Sequence, residues 1–418
     1  MTRTMFLVLC TTWICLSRGT LTAAAVDPIS EWSVTASNVA SASAMAPLRT
    51  PITLAILHLA MYDAVNAVVP NRTPYAARIR IVRPASADAA AIEAGYRVLL
   101  AEFPGQKPTI DAKYHALLAD VPESAAKRNG IAAGASIAEQ LLARRANDGR
   151  NANVPYAPGS GPGVWVQTPP GFLPVTTAFL AQVRPFTMDS PRQFRPGGPP
   201  ALGSMKWVRD YNEVKTFGVK DGSARNDAQT ATALFWEPLA GTVWPATIRR
   251  IAREQQLDLE SSAWFQAAAF AAFADSLIAC WDAKFAFNTW RPVTAIQQGD
   301  IDGNPRTEAA AGWEPLAVTP NFPEYPSGHA CATAAVAHTI EDALQREGLQ
   351  PVLIPARHFV SGEERFYRRA SDVVDEVIEA RMWLGLHFRS ADEDGSDIGR
   401  RIANQLRRKL FRRQSDVD

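Results

Sequence analysis

The chain has 418 residues, of which 47 % are hydrophobic and 20 % are charged, and its formal net charge is +1. This length and hydrophobic content suffice for a large buried core, in one big domain or in two bundles. The balanced charge argues against a protein whose main role is to bind nucleic acid or another polyanion.

Residues 1–25 have the pattern of a secretory signal peptide. Arg3 precedes an apolar stretch over residues 6–16, and small residues end in an Ala triplet at 23–25. The apolar stretch is too short to span a membrane, and the Ala-rich end offers a cleavage site. The sequence therefore predicts export, to a periplasm or to the outside of the cell.

Removal of this segment leaves two cysteines, Cys280 and Cys331. A disulfide between them suits an oxidising compartment. Two buried thiols that pack as small apolar side chains are the simpler interpretation. The sequence leaves both open.

Residues 26–150 are predicted to form an N-terminal helical bundle with a scaffold role. Residues 27–48 are interpreted as a leader rather than as an element. A helix is then expected from Thr50-Pro51, with Thr50 as its N-cap. Periodicity and punctuation by Pro and Gly predict three further helices. These helices cover 88–103, 110–119 and 123–147.

Residues 151–204 differ in composition, because the stretch 155–200 alone holds 11 of the 30 prolines. One Trp and four Phe residues within it, Trp165, Phe172, Phe179, Phe186 and Phe194, favour an ordered connection over a flexible linker. Such a connection wraps a neighbouring bundle or walls a substrate channel, and a purely structural strap is equally compatible.

Residues 205–418 are predicted to form a second, catalytic helical bundle. Its longest helix is expected over 261–290, where polar residues such as Asp275 interrupt the apolar run. These interruptions favour a buried central helix over a membrane span. Residues 352–367 are interpreted as irregular. The predicted fold class is all-α, with two packed helical bundles.

The segment 321–330 reads N-F-P-E-Y-P-S-G-H-A and precedes an Ala-rich helical run. Its two prolines hold the approach extended, so the helix is expected to start at Ser327-Gly328-His329. The free N–H groups of a helix start attract an anion, and Gly328 allows a ligand close to the backbone. The pattern indicates an oxyanion site that has a hydroxyl and an imidazole beside it.

Two further pairs supply charge. Lys284 and Arg291 are seven residues apart, which on a helix returns to nearly the same face. Arg381 and His387 are six residues apart, which is not a same-face spacing. His387 is therefore expected at or past a helix end, next to Gly385. Three cations and two histidines suit a tetrahedral oxyanion that carries several charges.

The order K-x6-R-P, P-S-G-H, R-x5-H resembles the vanadium-dependent haloperoxidases, which share these motifs with the type-2 phosphatidic acid phosphatase superfamily. The segments 58–67, 194–202 and 234–238 look like those of the bacterial haloperoxidase-like branch. Two positions depart from the pattern. Ala380 stands where the family usually has Ser, and Ala391, followed by Asp392, stands where the phosphatases have Asp.

The resemblance implies a vanadate cofactor in which vanadium stays V(V). His387 would be its axial metal ligand, and His329 would carry a proton. The resemblance also implies that the oxygens are bound by Lys284, Arg291, Ser327, Gly328 and Arg381. By similarity to the fungal chloroperoxidases, Trp281 and Phe322 would form the pocket wall. The implied partners are hydrogen peroxide, halide and small organic substrates, and a homo-oligomer is compatible with the sequence.

Two alternatives stay open. An acid phosphatase would bind phosphate at the same residues, with His387 as a nucleophile that forms a phosphohistidine and His329 as the acid. The N-terminal bundle, Trp281, Phe322 and Ala391 favour the peroxidase. A non-catalytic oxyanion-binding protein would not need the proton carrier at His329.

Overall fold

A computed structural model of the chain describes residues 27–238, 240–349, 353–358 and 360–409. The predicted signal peptide lies outside the described residues. The described residues form thirteen α-helices and one two-stranded sheet. The helices are α1 (Pro28–Ala42), α2 (Thr50–Val68), α3 (Ala87–Glu102), α4 (Lys107–Ala119), α5 (Ala125–Arg145), α6 (Met205–Phe217), α7 (Asp227–Phe235), α8 (Ala240–Glu254), α9 (Leu259–Phe287), α10 (Pro292–Gln297), α11 (Gly328–Arg346), α12 (Ala370–Trp383) and α13 (Arg389–Lys409).

Helix α1 occupies the stretch that the sequence analysis interpreted as a leader, and that interpretation is wrong. Asp27 caps the helix by accepting the Ile29 N–H at 3.0 Å, and Pro28 takes the first helical position. Trp32 is fully buried and its indole Nε1–H donates to the Ile92 carbonyl at 3.1 Å. The many small residues of α1 gave a weak periodicity, although the cap and the proline were visible.

Helix α2 begins at Thr50 itself, so the prediction that Thr50 is the N-cap is wrong. Arg49 takes the cap position in helical conformation and makes no side-chain cap bond. The helix is buried along nearly its whole length and packs against α9, where His58 stacks on Phe270 with ring centroids 4.3 Å apart. One continuous apolar core therefore contains residues of both bundles.

Helix α9 runs through the centre of the molecule. Thr50–Val68 and Leu259–Phe287 are the two described helices that are long and apolar enough to cross a membrane by length and composition. The apolar window of the first is 94 % buried inside the protein and that of the second is 100 % buried. Core helices of large bundles have this character.

The Pro-rich connection, residues 151–204, lies alongside α9 and is hydrogen-bonded to it. Both carboxylate oxygens of Asp275 accept backbone N–H groups, from Phe186 and Thr187, each at 2.7 Å. Farther along, the Trp281 indole donates to the Thr177 hydroxyl at 2.9 Å. These hydrogen bonds fix the connection against one side of α9, the helix that carries Lys284.

The region that the sequence analysis interpreted as irregular contains a β-hairpin. Strands β1 (Ile354–Arg357) and β2 (Glu364–Tyr367) pair antiparallel, with Ile354 opposite Tyr367. Each strand has only four residues, which is too short for a clear alternation of polar and apolar side chains.

Candidate active site

Lys284 lies in the last turn of α9 with its side chain fully buried. Its ammonium donates to the carbonyls of Pro323, Glu324 and Pro326 at 3.1, 2.8 and 2.5 Å. Burial lowers the pKa of Lys284 to about 8. These bonds attach the approach to the P-S-G-H helix directly to the central helix.

Arg291 does not share a helix with Lys284, so the prediction of a common helical face is wrong. Helix α9 ends at Phe287, and its C-cap residue Asn288 is left-handed with φ 49°. Arg291 is extended at the N-cap of α10. Pro292 disfavours a helical conformation at the residue before it. The Arg291 guanidinium still reaches the site, where it donates to the carbonyls of Phe322 and Leu386 at 2.9 Å each.

Helix α11 begins at Gly328 with Ser327 as its N-cap, as the sequence predicts. A Cβ atom at position 328 would lie 3.0 Å from the Trp281 ring, so only glycine fits without a shift. His329 Nε2 lies 3.0 Å from the Pro238 carbonyl. A carbonyl only accepts, so Nε2 carries the hydrogen and Nδ1 is free to take up a proton.

Burial lowers the pKa of His329 well below 6.5, and the charge of Arg381 acts in the same direction. Arg381 lies in the last turn of α12, fully buried, and donates to the Trp236 carbonyl at 3.0 Å. The carbonyls of the segment 236–238 thus contact both His329 and Arg381.

Helix α12 ends at Trp383, and the chain then turns at Gly385, which has φ +73°. His387 lies past the helix end, in agreement with its spacing from Arg381. Its Nε2 is 3.3 Å from Arg291 Nη1 and its Nδ1 is 2.7 Å from Oε1 of Glu324. Burial and the nearby cations lower the pKa of His387 well below 6.5.

Glu324 is a site residue that the sequence analysis missed. The side chain is 1 % exposed, and burial raises its pKa to about 8 against the opposing charges of Arg291 and Lys284. The available signal was a carboxylate between two prolines, three residues before Ser327. Nothing in the spacing connects it to a histidine 63 residues later.

Trp281 and Phe322 both lie next to Lys284, and Phe322 also lies next to Arg291. Their ring centroids are 5.2 Å apart, and Lys284 Nζ lies 5.5 Å from the Trp281 centroid and 5.3 Å from that of Phe322. Arg291 Cζ lies 5.0 Å from the Phe322 centroid. The two rings form an aromatic wall around the cationic groups.

Vanadate and phosphate both fit the donors that remain. Nη2 of Arg291 and Nε of Arg381 are buried and have no hydrogen-bond partner among the described residues. Burial lowers the pKa of Arg291 to about 9 and that of Arg381 to about 10, so three cations lie in a poorly solvated site. A multiply charged oxyanion supplies both the missing acceptors and the missing negative charge.

Comparison with known proteins places this site in a known fold. The family model for the VCPO second helical-bundle domain matches residues 264–415, which contain all three motifs. The crystal structure of the first bacterial vanadium-dependent iodoperoxidase is similar at 23 % identity and TM-score 0.75, covering 92 % of this chain and 96 % of that one. The chain has the vanadium haloperoxidase fold. The family resemblance found in the sequence is thereby confirmed.

Two bacterial vanadium-dependent chloroperoxidase structures are also similar. The holo-type structure matches at 18 % identity and TM-score 0.63, covering 87 % of this chain and 92 % of that one. The apo-type structure matches at 19 % identity and TM-score 0.65, covering 87 % and 94 %. No curated protein matches the chain. The all-α prediction is confirmed by the helices and by these likenesses.

The two positions that depart from the motif pattern lie in buried parts of this vanadium haloperoxidase fold. Ala380 and Ala391 are fully buried, and so is Asp392, which lies near Ser327 and Arg381. Burial raises the pKa of Asp392 well above its usual value. A carboxyl group is therefore present beside the helix start, one position later in the chain than in the phosphatases.

Cys280 and Cys331 are free, buried thiols. The Cys280 thiol donates to the Pro326 carbonyl at 3.5 Å, the same carbonyl that accepts from Lys284. Both cysteines therefore pack where α9 and α11 cross behind the site.

Proposed function

We propose that this protein is a vanadate-dependent haloperoxidase that oxidises a halide ion with hydrogen peroxide and yields a hypohalous acid equivalent. The observation that carries the oxyanion site is the pair of unpartnered guanidinium donors, on Arg291 and Arg381, beside a His387 Nε2 that no carboxylate of the described residues contacts. The vanadium haloperoxidase fold, which a bacterial iodoperoxidase and a bacterial chloroperoxidase share, favours halide oxidation over phosphate transfer at this site.

The residues divide the work by their chemistry. Lys284, Arg291 and Arg381 would neutralise the oxygens of vanadate, and the start of α11 would add the Ser327 hydroxyl and the Gly328 N–H. Nε2 of His387 would be the metal ligand. Bound vanadate supplies a Lewis-acidic V(V) centre that activates hydrogen peroxide without a change of metal oxidation state.

His329 holds and moves the proton. Its Nε2–H is bonded to Pro238, so Nδ1 is the atom that accepts a proton from incoming peroxide and returns it later. The lowered pKa keeps this imidazole neutral, and therefore able to accept, at neutral pH. Positioned proton transfer of this kind typically contributes about 10²–10⁴-fold in rate.

A cleft of about 670 Å³ adjoins this site and fits a small organic substrate. Pro238, whose carbonyl accepts from His329, belongs to its lining, together with apolar residues such as Leu234, Phe235 and Val318. Ligand sites of this size commonly combine an apolar lining with a few polar groups. We assign the halogen-accepting organic substrate to this cleft.

The second candidate is an acid phosphatase that uses the same residues. The contact between the Glu324 carboxyl group and His387 Nδ1 favours it, because such a partner makes Nε2 a better nucleophile towards a phosphoryl group. Vanadate resembles phosphate in shape and charge, so the oxyanion-binding residues alone do not separate the two functions.

Paired assays on one purified sample test the proposal. Peroxide-dependent bromination is measured with and without added vanadate, and hydrolysis of a generic phosphomonoester is measured in parallel. We expect bromination that requires vanadate. Hydrolysis of the phosphomonoester without any bromination would overturn the proposal in favour of the phosphatase.

Localisation and assembly belong to the same proposal. The pattern of residues 1–25 supports cleavage and export to a periplasm or to the outside of the cell. N-terminal sequencing of the mature protein would test this, with a new terminus near residue 26 expected. A homo-oligomer is also proposed, and light scattering of the purified protein gives its mass.

A further inference from the structure

Glu324 connects all three motifs. Its side-chain Oε1 lies 2.7 Å from His387 Nδ1 and accepts the Phe388 N–H at 3.1 Å. Its backbone carbonyl accepts from Lys284 at 2.8 Å, and its own N–H donates to Thr289 at 2.9 Å. No other carboxylate of the described residues contacts His387. Because the residue is held at backbone and side chain, its carboxyl group has little freedom to leave the imidazole.

The contacts on both sides of the His387 ring assign its tautomer. Nε2 faces Nη1 of Arg291, and a guanidinium only donates, so Nε2 must carry the lone pair. Nδ1 faces Oε1, which already accepts the Phe388 N–H, so Nδ1 must carry the hydrogen. The carbonyl oxygen of a neutral carboxyl group accepts as a carboxylate does. The assignment therefore holds for either charge of Glu324.

We propose that Glu324 is a positioning residue that holds His387 as the Nδ1–H tautomer and presents Nε2 to the oxyanion centre. Metal-bound histidines generally donate their second N–H to such a partner, which fixes the ring and strengthens the ligand. This inference rests on the proposed function only in that His387 bonds to the oxyanion. It goes beyond that function, because the three motifs include no partner for His387.

The experiment compares Glu324→Ala and Glu324→Gln with the unmodified protein. The matched control is Glu93→Gln, which alters a buried, hydrogen-bonded carboxylate in the N-terminal bundle. The first readout is the dissociation constant of inorganic vanadate, measured by equilibrium dialysis. The second is the tautomer of His387 in vanadate-free protein, from nitrogen chemical shifts after selective histidine labelling. Neither readout depends on halide oxidation.

We expect Glu324→Ala to raise the vanadate dissociation constant by about 10–100-fold, the usual cost of losing such a partner. It should also free the His387 ring to rotate away from Arg291, so that the ring is no longer purely the Nδ1–H tautomer. Glu324→Gln should keep that tautomer, because its amide oxygen accepts the same bonds, with a smaller loss of affinity. Glu93→Gln should change neither readout.

Native vanadate affinity together with an unchanged tautomer in Glu324→Ala would overturn the proposal. If that variant does not fold, the unmodified protein still decides, because an Nε2–H tautomer of its His387 would contradict the assignment. A protein that binds vanadate in the expected way but brominates nothing would overturn the haloperoxidase function. The role of Glu324 would then stand.

Discussion

At the scale of single residues, the two site histidines have different neighbours and therefore different tasks. His329 donates Nε2–H to Pro238 and keeps Nδ1 free, whereas His387 is held at Nδ1 by Glu324 and keeps the lone pair of Nε2 towards Arg291. One ring is thus arranged to exchange a proton and the other to serve as a ligand.

Replacement of each histidine by alanine should separate these tasks. His329→Ala should still bind vanadate but brominate about 10²–10⁴-fold more slowly, because it lacks the proton carrier. His387→Ala should lose vanadate affinity and all vanadate-dependent activity, because it lacks the ligand. Vanadate titration and bromination kinetics on both variants are the measurements. Equal loss of vanadate affinity in the two would contradict this division.

His58 has no role in the site but should be visible in the pH dependence of stability. Neither ring nitrogen has a hydrogen-bond partner among the described residues, and burial lowers its pKa well below 6.5. Below about pH 6.5 the unfolded chain takes up a proton here that the folded chain does not. The free energy of unfolding therefore falls as the pH falls, by up to about 1.4 kcal/mol per pH unit.

The variant His58→Leu should remove this contribution. Urea unfolding between pH 5 and 8 should show a shallower acid-side slope for the variant, and the two curves should run parallel above about pH 7.5. An identical slope throughout would mean that His58 is protonated in the folded protein.

At the scale of elements, sequence patterns predicted the start of α11 better than the joint between α9 and α10. The run Pro326-Ser327-Gly328 correctly predicted the start of α11. Gly385 correctly indicated a break in the helix before His387. The seven-residue spacing of Lys284 and Arg291 wrongly predicted a shared helical face, because the left-handed C-cap Asn288 ends α9 between them. Both side chains still converge, which depends on tertiary packing that no local pattern encodes.

The turn at Gly385 should be sensitive to a methyl group. At φ +73° an added Cβ would lie 2.5 Å from the Gly218 carbonyl oxygen, whereas at Gly222, with φ +69°, it would meet nothing within 4 Å. Both Gly→Ala changes incur about 1–2 kcal/mol for the left-handed backbone. The clash should add roughly 1–3 kcal/mol at position 385 alone.

Thermal unfolding and vanadate affinity of the two variants test this. We expect Gly385→Ala to lose more stability than Gly222→Ala and to bind vanadate more weakly, because His387 follows two residues later. Equal losses of stability would show that the chain relaxes around the new methyl group.

The cleft beside His329 should control the organic substrate rather than the halide. Val318→Trp should fill part of it and slow the halogenation of a bulky apolar phenol, while bromide oxidation itself stays near the unmodified rate. Val82→Trp is the matched control, since both valines are 69 % exposed and Val82 lies outside the cleft lining. If the two variants slowed phenol halogenation equally, the cleft would not be the binding site of the organic substrate.

At the scale of the whole molecule, the two predicted bundles share one apolar core, because α2 of the first packs against α9 of the second. The sequence indicated the bundles from periodicity and the oxyanion site from three short motifs. It did not indicate Glu324, whose partner is distant in the chain, or α1, whose small residues form a weak pattern. Local signals were readable, whereas pairings made only in the folded chain were not.

The most direct test of the whole account is a titration of vanadate-free protein with vanadate, followed by peroxide-dependent bromination. We expect activity to be absent at first and to rise to a plateau at one vanadate per chain. His387→Ala, as the paired sample, should stay inactive throughout. Full bromination without vanadate, or none at saturation, would contradict the assignment of this site to vanadate-dependent halide oxidation.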